Sequence, residues 1–331
     1  MTGGMDMKKR WTAFFALLCA AALLLTACTG AGGQDNTSSG DSPSSDASAP
    51  TSMAESSDSG SGTTVRPSDE STAGTSSAAG SANAASAPSG AASSEAEAQT
   101  VRVTFAEGAT VARIIDTLVE KKVAGQRELF AAVESADLSA YPLVNAITMG
   151  NGRCFRLEGY LFPDTYEFYI GESPESVLKK MLDNTEKKLT QEFRTRASEL
   201  GMTMDEILTI ASIVQKETGQ VAQMPEIASI LYNRLEQGMR LQCDVTITYV
   251  EGAIKPYIDG DVNRYNSYYN TYKCAALPAG PICNPGLAAI KATLWPDSTD
   301  YLYFAYDTNG NYYYASTYEE HLQNLADAGI S

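Results

Sequence analysis

The chain has 331 residues, with 40 acidic side chains against 24 Lys and Arg and a single His. A net charge of −16 argues against a nucleic-acid partner, whose phosphates need a basic surface. One His also excludes His-based metal sites, and it leaves a Ser-His-Asp triad to rest on His321 alone.

Near its start the chain carries Lys8, Lys9 and Arg10, followed by an apolar run from Trp11 to Leu25. That run is about 15 residues, short of the roughly 20 that a membrane-spanning helix needs. It ends in Leu25-Thr26-Ala27-Cys28, which resembles the lipobox of bacterial lipoproteins, with residues 1–27 as signal peptide and Cys28 as the lipidated residue. An ordinary signal peptide or an uncleaved anchor with an incidental Cys is the alternative. Met7 is an alternative start. Each reading puts the remainder outside the cytoplasm, at the membrane.

Residues 28–100 are nearly all Ser, Ala, Gly, Thr and Asp, without an aromatic side chain. Nine acidic residues and one Arg give this stretch half of the net charge. So few apolar groups cannot offset ordering entropy, so a disordered tether is expected, spanning roughly 45–50 Å. All 18 Tyr lie beyond residue 140, and the foldable part is therefore about residues 101–331. The Cys residues there are Cys154, Cys243, Cys274 and Cys283. Outside the cytoplasm they could form disulfides in any of three pairings, or remain buried thiols.

Residues 101–150 read as a small module. Val101 to Phe105 alternates as a strand does, Glu107-Gly108 marks a turn, and Ile114, Ile115, Leu118 and Val119 recur at helical spacing. A second helix carries Leu129, Phe130 and Val133. Strand, helix, helix and a short closing strand resemble a LysM-like unit; a structural lid is the alternative. Residues 157–170 are dense in aromatics, and Pro163 starts a turn or helix. One amphipathic helix is expected from about Ser176 to Leu200, stopped by Gly201.

Thr203 and Glu206 have capping-box spacing at the head of the next helix. Ile207, Ile210, Ala211 and Val214 form one apolar stripe, and its next member is Glu217. A carboxylate on the inward face near a helix C-terminus is disfavoured by burial and by the helix dipole. Both effects raise its pKa, as a general acid requires. The structural alternative pairs Glu217 with Arg234 or Arg240. A helix from about Pro225 to Gln237 follows, then Gln242 and Asp244, whose side chains share a face if the segment is extended. Tyr257, Tyr265, Tyr268, Tyr269 and Tyr272 alternate with Asn263, Asn266 and Asn270, a pattern suited to sugars. A rigid Pro/Gly loop over 277–286, a helix over 287–294, a hairpin around Asn309-Gly310 and a helix over 317–328 complete the chain.

Several ordered blocks resemble the YceG-like endolytic murein transglycosylase family. They are Leu157-Glu-Gly-Tyr-Leu-Phe-Pro-Asp-Thr-Tyr166, Ala211-Ser-Ile-Val-Gln-Lys-Glu-Thr218, Ile230-Leu-Tyr-Asn-Arg-Leu235 and Gly238-Met-Arg-Leu-Gln-Cys-Asp244. Tyr269-Asn-Thr-Tyr272, Leu277-Pro-Ala-Gly-Pro281, Asn284-Pro-Gly286, Tyr303-Phe304 and Glu320-His321 continue the match. The resemblance implies an α+β fold: a small LysM-like subdomain, then a mixed, helix-rich catalytic domain over 151–331 with a C-terminal β-hairpin. Members usually carry Glu-Lys-Glu-Thr where this chain has Gln215-Lys-Glu-Thr, and the retained glutamate is Glu217. They are usually held by a transmembrane helix, so Cys28 would make this chain a lipoprotein variant.

The implied reaction is non-hydrolytic cleavage of the MurNAc–GlcNAc bond inside a peptidoglycan strand, with Glu217 acting first as acid and then as base. The MurNAc C6 hydroxyl closes on C1 as a 1,6-anhydro ring, so no metal or cofactor is needed. Candidates for holding the sugar are Gln242, Asp244, Tyr269, Asn270, Tyr272 and Glu158. The implied partners are peptidoglycan strands, the cell-wall synthesis machinery and, through the lipid anchor, the membrane. Two alternatives stand beside this reading. One is a muramidase in which Asp244 activates water opposite Glu217; the other is a non-catalytic glycan-binding lipoprotein.

Overall fold

The computed structural model describes residues 99–329, except for residues 148, 151 and 275. The expected signal peptide, Cys28 and nearly all of the tether therefore lie outside the described residues. Strand β1 (Thr100–Thr104) begins at the last tether residue. Val103 is buried and Val101 partly so, while Thr100, Arg102 and Thr104 face out. Its antiparallel partner is β2 (Thr165–Tyr169), with Val103 opposite Tyr166 and Val101 opposite Phe168. Phe105 packs its ring on both of those aromatics.

Two helices leave β1. Helix α1 (Val111–Glu120) is capped by the Thr110 side chain and buries Ile114, Ile115 and Leu118; α2 (Gln126–Ser135) buries Leu129 and Val133. The strand expected to close this unit before residue 150 does not form. Pro142 starts the short helix α3 (Pro142–Asn145) instead, because Leu143 and Val144 are buried as neighbours rather than in alternation. The closing strand is β2, where Tyr166 and Phe168 do alternate with exposed Glu167 and Tyr169. Pro163 thus leads into a strand.

The long helix expected over 176–200 is two helices, α4 (Pro174–Lys188) and α5 (Gln191–Glu199). Ser173 caps α4 and Pro174 occupies its first turn, so the helix starts earlier than periodicity indicates. Lys187 and Lys188 suit its C-terminal dipole, after which Leu189 leaves helical geometry and Thr190 is extended.

Helix α6 (Met204–Glu217) is the axis of the molecule. The expected capping box is present at Thr203 and Glu206, and every residue from Ile207 to Val214 is buried. Against it pack α7 (Met224–Glu236) and α10 (Leu287–Leu294), and α10 also packs on α7. Ala289 and Ala292 allow that close approach. Between them in sequence come α8 (Asp244–Tyr249), which continues as a wider turn over Val250–Ile254, and α9 (Arg264–Tyr269). The 277–286 loop is locked down where Gly159, at φ +89°, meets Pro281: a Cβ there would lie 2.4 Å from its ring.

Strands β3 (Tyr303–Tyr306) and β4 (Tyr312–Ala315) form the C-terminal hairpin, and α11 (Tyr318–Asp327) lies on it. Asp307 shapes the turn by accepting the backbone N–H groups of Asn309 and Asn311 at 2.8 and 2.9 Å. The architecture is mixed, helix-rich α+β with two small two-stranded sheets. All four cysteines of the head are free thiols, three of them buried.

Candidate active site

Glu217 is the last residue of α6, one turn beyond Val214 on the buried stripe. Thr218 then leaves the helix in an extended conformation, which brings the carboxylate to the surface end of the stripe, half-buried. Among the described residues Glu217 makes no ion pair. Arg234, one of the structural partners considered for it, is committed elsewhere. Its guanidinium donates to the carbonyls of Leu302 (2.6 Å), Arg240 (3.0 Å) and Leu241 (2.9 Å), and to Gln242 Oε1 (3.2 Å). Burial pushes the Glu217 pKa up to about 7; the Cys243 thiol pulls it down, and Asp244 pushes it further up.

The 241–244 segment is not the extended strand assumed for it. Gln242 has φ +54°, and Asp244 opens α8, so the two side chains do not lie on a strand face. The residue between them, Cys243, is buried and meets Glu217 instead. Gln242 and Asp244 remain exposed on the rim. Asp244 Oδ1 accepts the Tyr272 hydroxyl at 2.7 Å, and burial together with that bond pushes Tyr272 up to about 12. Glu217, Asp244, Tyr272 and Gln242 therefore come together with one face open to solvent.

The other expected residues go elsewhere. Tyr269 is fully buried, its ring between Tyr249 and Tyr265 and its hydroxyl accepting the Cys154 N–H at 3.2 Å. It cannot stack on a sugar. Asn270 is buried, and its Oδ1 accepts the Tyr272 N–H at 2.9 Å, so it shapes the loop that carries Tyr272. Glu158 is also fully buried, accepting from Val111 N–H at the head of α1 (3.0 Å), Tyr249 OH (3.0 Å) and Asn284 Nδ2 (3.2 Å). Burial pushes its pKa up to about 8 despite the donors that pull it down. With no open face it has no route to a substrate; it joins the N-terminal unit to the core.

The hairpin supplies side chains that the sequence pattern did not single out for the site. Tyr312 OH donates to Thr218 Oγ1 at 2.7 Å, Tyr314 OH to Gln223 Oε1 at 2.6 Å, and Gln220 Nε2 to the Gly310 carbonyl at 2.9 Å. These bonds strap the segment that follows Glu217. Their signal was present as alternation, since Tyr312 and Tyr314 share a strand face. His321 stacks on Tyr303, which in turn lies under the Arg234 guanidinium. Its Nδ1 is buried without a partner, and burial lowers its pKa. It does not reach an Asp in a triad. A cavity of about 470 Å³ lies at the opposite end of α6, beside Asp205 and Tyr268, and does not touch Glu217.

Comparison with known proteins adds to this geometry. The YceG-like family matches residues 73–327. A Bacillus subtilis (strain 168) protein named endolytic murein transglycosylase is 31% identical over 234 residues, covering 68% of this chain and 64% of that protein. A Streptococcus pneumoniae serotype 2 protein of the same name is 34% identical over 243 residues, covering 68% of this chain and 44% of the relative. The chain thus spans less than two thirds of the length of either relative. The crystal structure of a yceG-like protein from Listeria monocytogenes aligns with a TM-score of 0.59 at 32% identity, covering 67% of this chain and 75% of that one.

Proposed function

Because this chain belongs to the YceG-like family, we propose that it is an endolytic lytic transglycosylase that cleaves the MurNAc–GlcNAc bond within peptidoglycan strands and leaves 1,6-anhydro-MurNAc ends. The observation that carries this reading is Glu217: half-buried, without an ion pair among the described residues, and with its pKa up to about 7 beside an open polar rim. A carboxyl of that pKa holds its proton on about half of the molecules at neutral pH, so one group can donate and then accept.

Protonated Glu217 gives its proton to the leaving glycosidic oxygen. The carboxylate that results takes the proton of the MurNAc C6 hydroxyl as that oxygen closes on C1. The nucleophile belongs to the substrate, so proximity replaces a positioned water. In this reading Asp244, which accepts from Tyr272, and Gln242, which accepts from Arg234, bind the sugar around C1. Asp244 carries a negative charge that acts on Glu217 and suits the oxocarbenium-like state.

The names of the two relatives support the substrate class, and the leader pattern supports the location. Lys8–Arg10, the apolar run and Ala27-Cys28 suit a lipid anchor at Cys28 on the outer face of a bacterial membrane, beside the cell-wall synthesis machinery. The order β1–α1–α2, with β2 returning antiparallel on β1, supports a LysM-like unit at the N-terminal end of the head. The deciding experiment is mass spectrometry of glycan fragments after incubating the protein with uncrosslinked peptidoglycan strands. Anhydro-MurNAc ends are expected. Reducing ends would replace this reading with a muramidase, and intact glycan that still binds would replace it with a binding protein.

A further inference from the structure

The cavity of about 470 Å³ at the head of α6 has an aromatic wall in Tyr268, which lies on α9 and is 44% exposed. Gly152, at φ +77°, sits against that ring. A Cβ there would stand 2.2 Å from Tyr268 Cγ and 2.4 Å from both Cδ atoms. Near-equal distances to these three atoms put the glycine over the flat of the ring rather than at its edge. One face of Tyr268 therefore rests on backbone, and the other is open to the cavity. The Ala279 N–H donates to the Tyr268 carbonyl at 3.0 Å, which ties the loop carrying Leu277 and Pro278 to the same helix.

A carboxylate lines the same cavity. Asp205 keeps 22% of its side chain exposed and is aimed by two donors. Arg153, whose side chain is fully buried, donates to Oδ1 at 2.8 Å and to Oδ2 at 3.0 Å, and the Tyr160 hydroxyl donates to Oδ1 at 2.7 Å. Oδ1 is filled by those two, whereas Oδ2 takes one and keeps room for another. Ser267 brings an exposed hydroxyl to the lining, while Thr203 and Glu206 are occupied with each other in the capping box.

These groups select a ligand class. Two carboxylates, Asp205 and Glu206, repel an anion. The guanidinium behind Asp205 offsets its charge, so a cation gains little there. A wholly apolar ligand would strip water from Asp205 and Ser267 without replacing it. A neutral, polyhydroxylated ring can lay its C–H face on Tyr268 while its hydroxyls bond Asp205 Oδ2 and Ser267. We propose that this cavity is a second sugar site, which holds an N-acetylhexosamine ring of a glycan strand away from the point of cleavage. Its volume falls within the roughly 300–1,000 Å³ usual for small-ligand sites. The choice of a glycan strand rests on the transglycosylase reading; the platform and the aimed carboxylate do not. Asp205 stands twelve residues before Glu217 on α6, about 18 Å along the helix. A strand long enough to reach both ends is held at two points, and its second contact becomes intramolecular. Short fragments engage one point at a time.

The test is an NMR titration of the full chain, labelled in its tyrosine rings, with chitotetraose, an N-acetylglucosamine oligomer that has no MurNAc ring for the proposed cut. Tyr268→Ala identifies the Tyr268 signal. That signal should move on titration, and the same variant should bind about tenfold more weakly, as loss of one aromatic contact implies. Tyr268→Phe keeps the flat ring and should bind within about twofold of wild type. The proposal is overturned by a wild type that does not bind, by binding that leaves the Tyr268 signal in place, or by equal affinity in the Ala variant. On uncrosslinked peptidoglycan strands, Tyr268→Ala should raise KM for long strands and leave kcat unchanged. If the wild type leaves those strands intact, the transglycosylase reading fails, and the chitotetraose titration still decides the cavity.

Discussion

Glu158 is fully buried and Glu217 half-buried, and in both burial raises the pKa, to about 8 and about 7. Their surroundings differ in every other respect. Glu158 is enclosed by the head of α1, Tyr249 and Asn284, and Asn284 also accepts the Leu161 N–H at 2.8 Å and donates to the Ala109 carbonyl at 2.9 Å. Glu217 has a repelling neighbour, Asp244, and an open face. A raised carboxyl pKa is therefore a poor guide to catalysis by itself. The saturated, closed environment suits a joint, and the under-supplied, open one suits the proposed reacting group.

Exchanging the two glutamates one at a time sharpens this contrast most. Glu217→Gln should lower turnover of glycan strands about 10³-fold or more, as loss of a general acid does, while leaving the circular dichroism spectrum unchanged. Retained turnover would move the acid elsewhere. Glu158→Ala should do the converse: three donors lose their acceptor, at a cost of about 2–4 kcal/mol in a urea titration. Turnover per folded molecule should fall far less than in the Glu217 variant.

Both carboxyls also leave a mark on stability against pH. Each has a folded-state pKa above its unfolded value of 4.5. The native state therefore holds more protons than the unfolded state between pH 4.5 and about 7 for Glu217, and up to about 8 for Glu158. Their contribution is greatest below 4.5 and is lost as pH rises through those windows. His321, with a lowered pKa, acts in the opposite sense below its usual value of 6.5. Calorimetry should find Tm lower by about 5–10 °C at pH 8 than at pH 5, a few kcal/mol in all. Glu158→Gln should flatten most of that slope.

The smallest effect tests the rim. Asp244→Asn removes a like charge and should lower the Glu217 pKa, so the alkaline limb of kcat moves down by roughly half a pH unit. A limb that stays in place would place Asp244 too far from Glu217 to act on it.

Much of this site was legible in the residues, and the failures share a cause. The Thr203/Glu206 box and the Ile207–Val214 stripe locate α6 and point to Glu217, because a long helix states its own periodicity. Short segments do not. An alternating reading of Gln242 and Asp244 presumed an extended backbone, but Thr246 and Thr271 bend the chain there through hydrogen bonds between residues 25 apart. Tyr269 and Glu158 lie in blocks that do carry structure and function, and one sequence cannot show which way a side chain in such a block points. The break at Leu189 and Thr190 was hidden because the apolar spacing resumes in phase on the far side.

The strap between Tyr312 and Thr218 joins residues 94 positions apart. A ribosome adding about 5–20 residues each second needs roughly 5–20 s to travel from one to the other. For that interval α6 exists without the hairpin that pins its end. A nascent chain of this protein thus carries an incompletely held Glu217, and the candidate site is assembled late, when the last strands arrive.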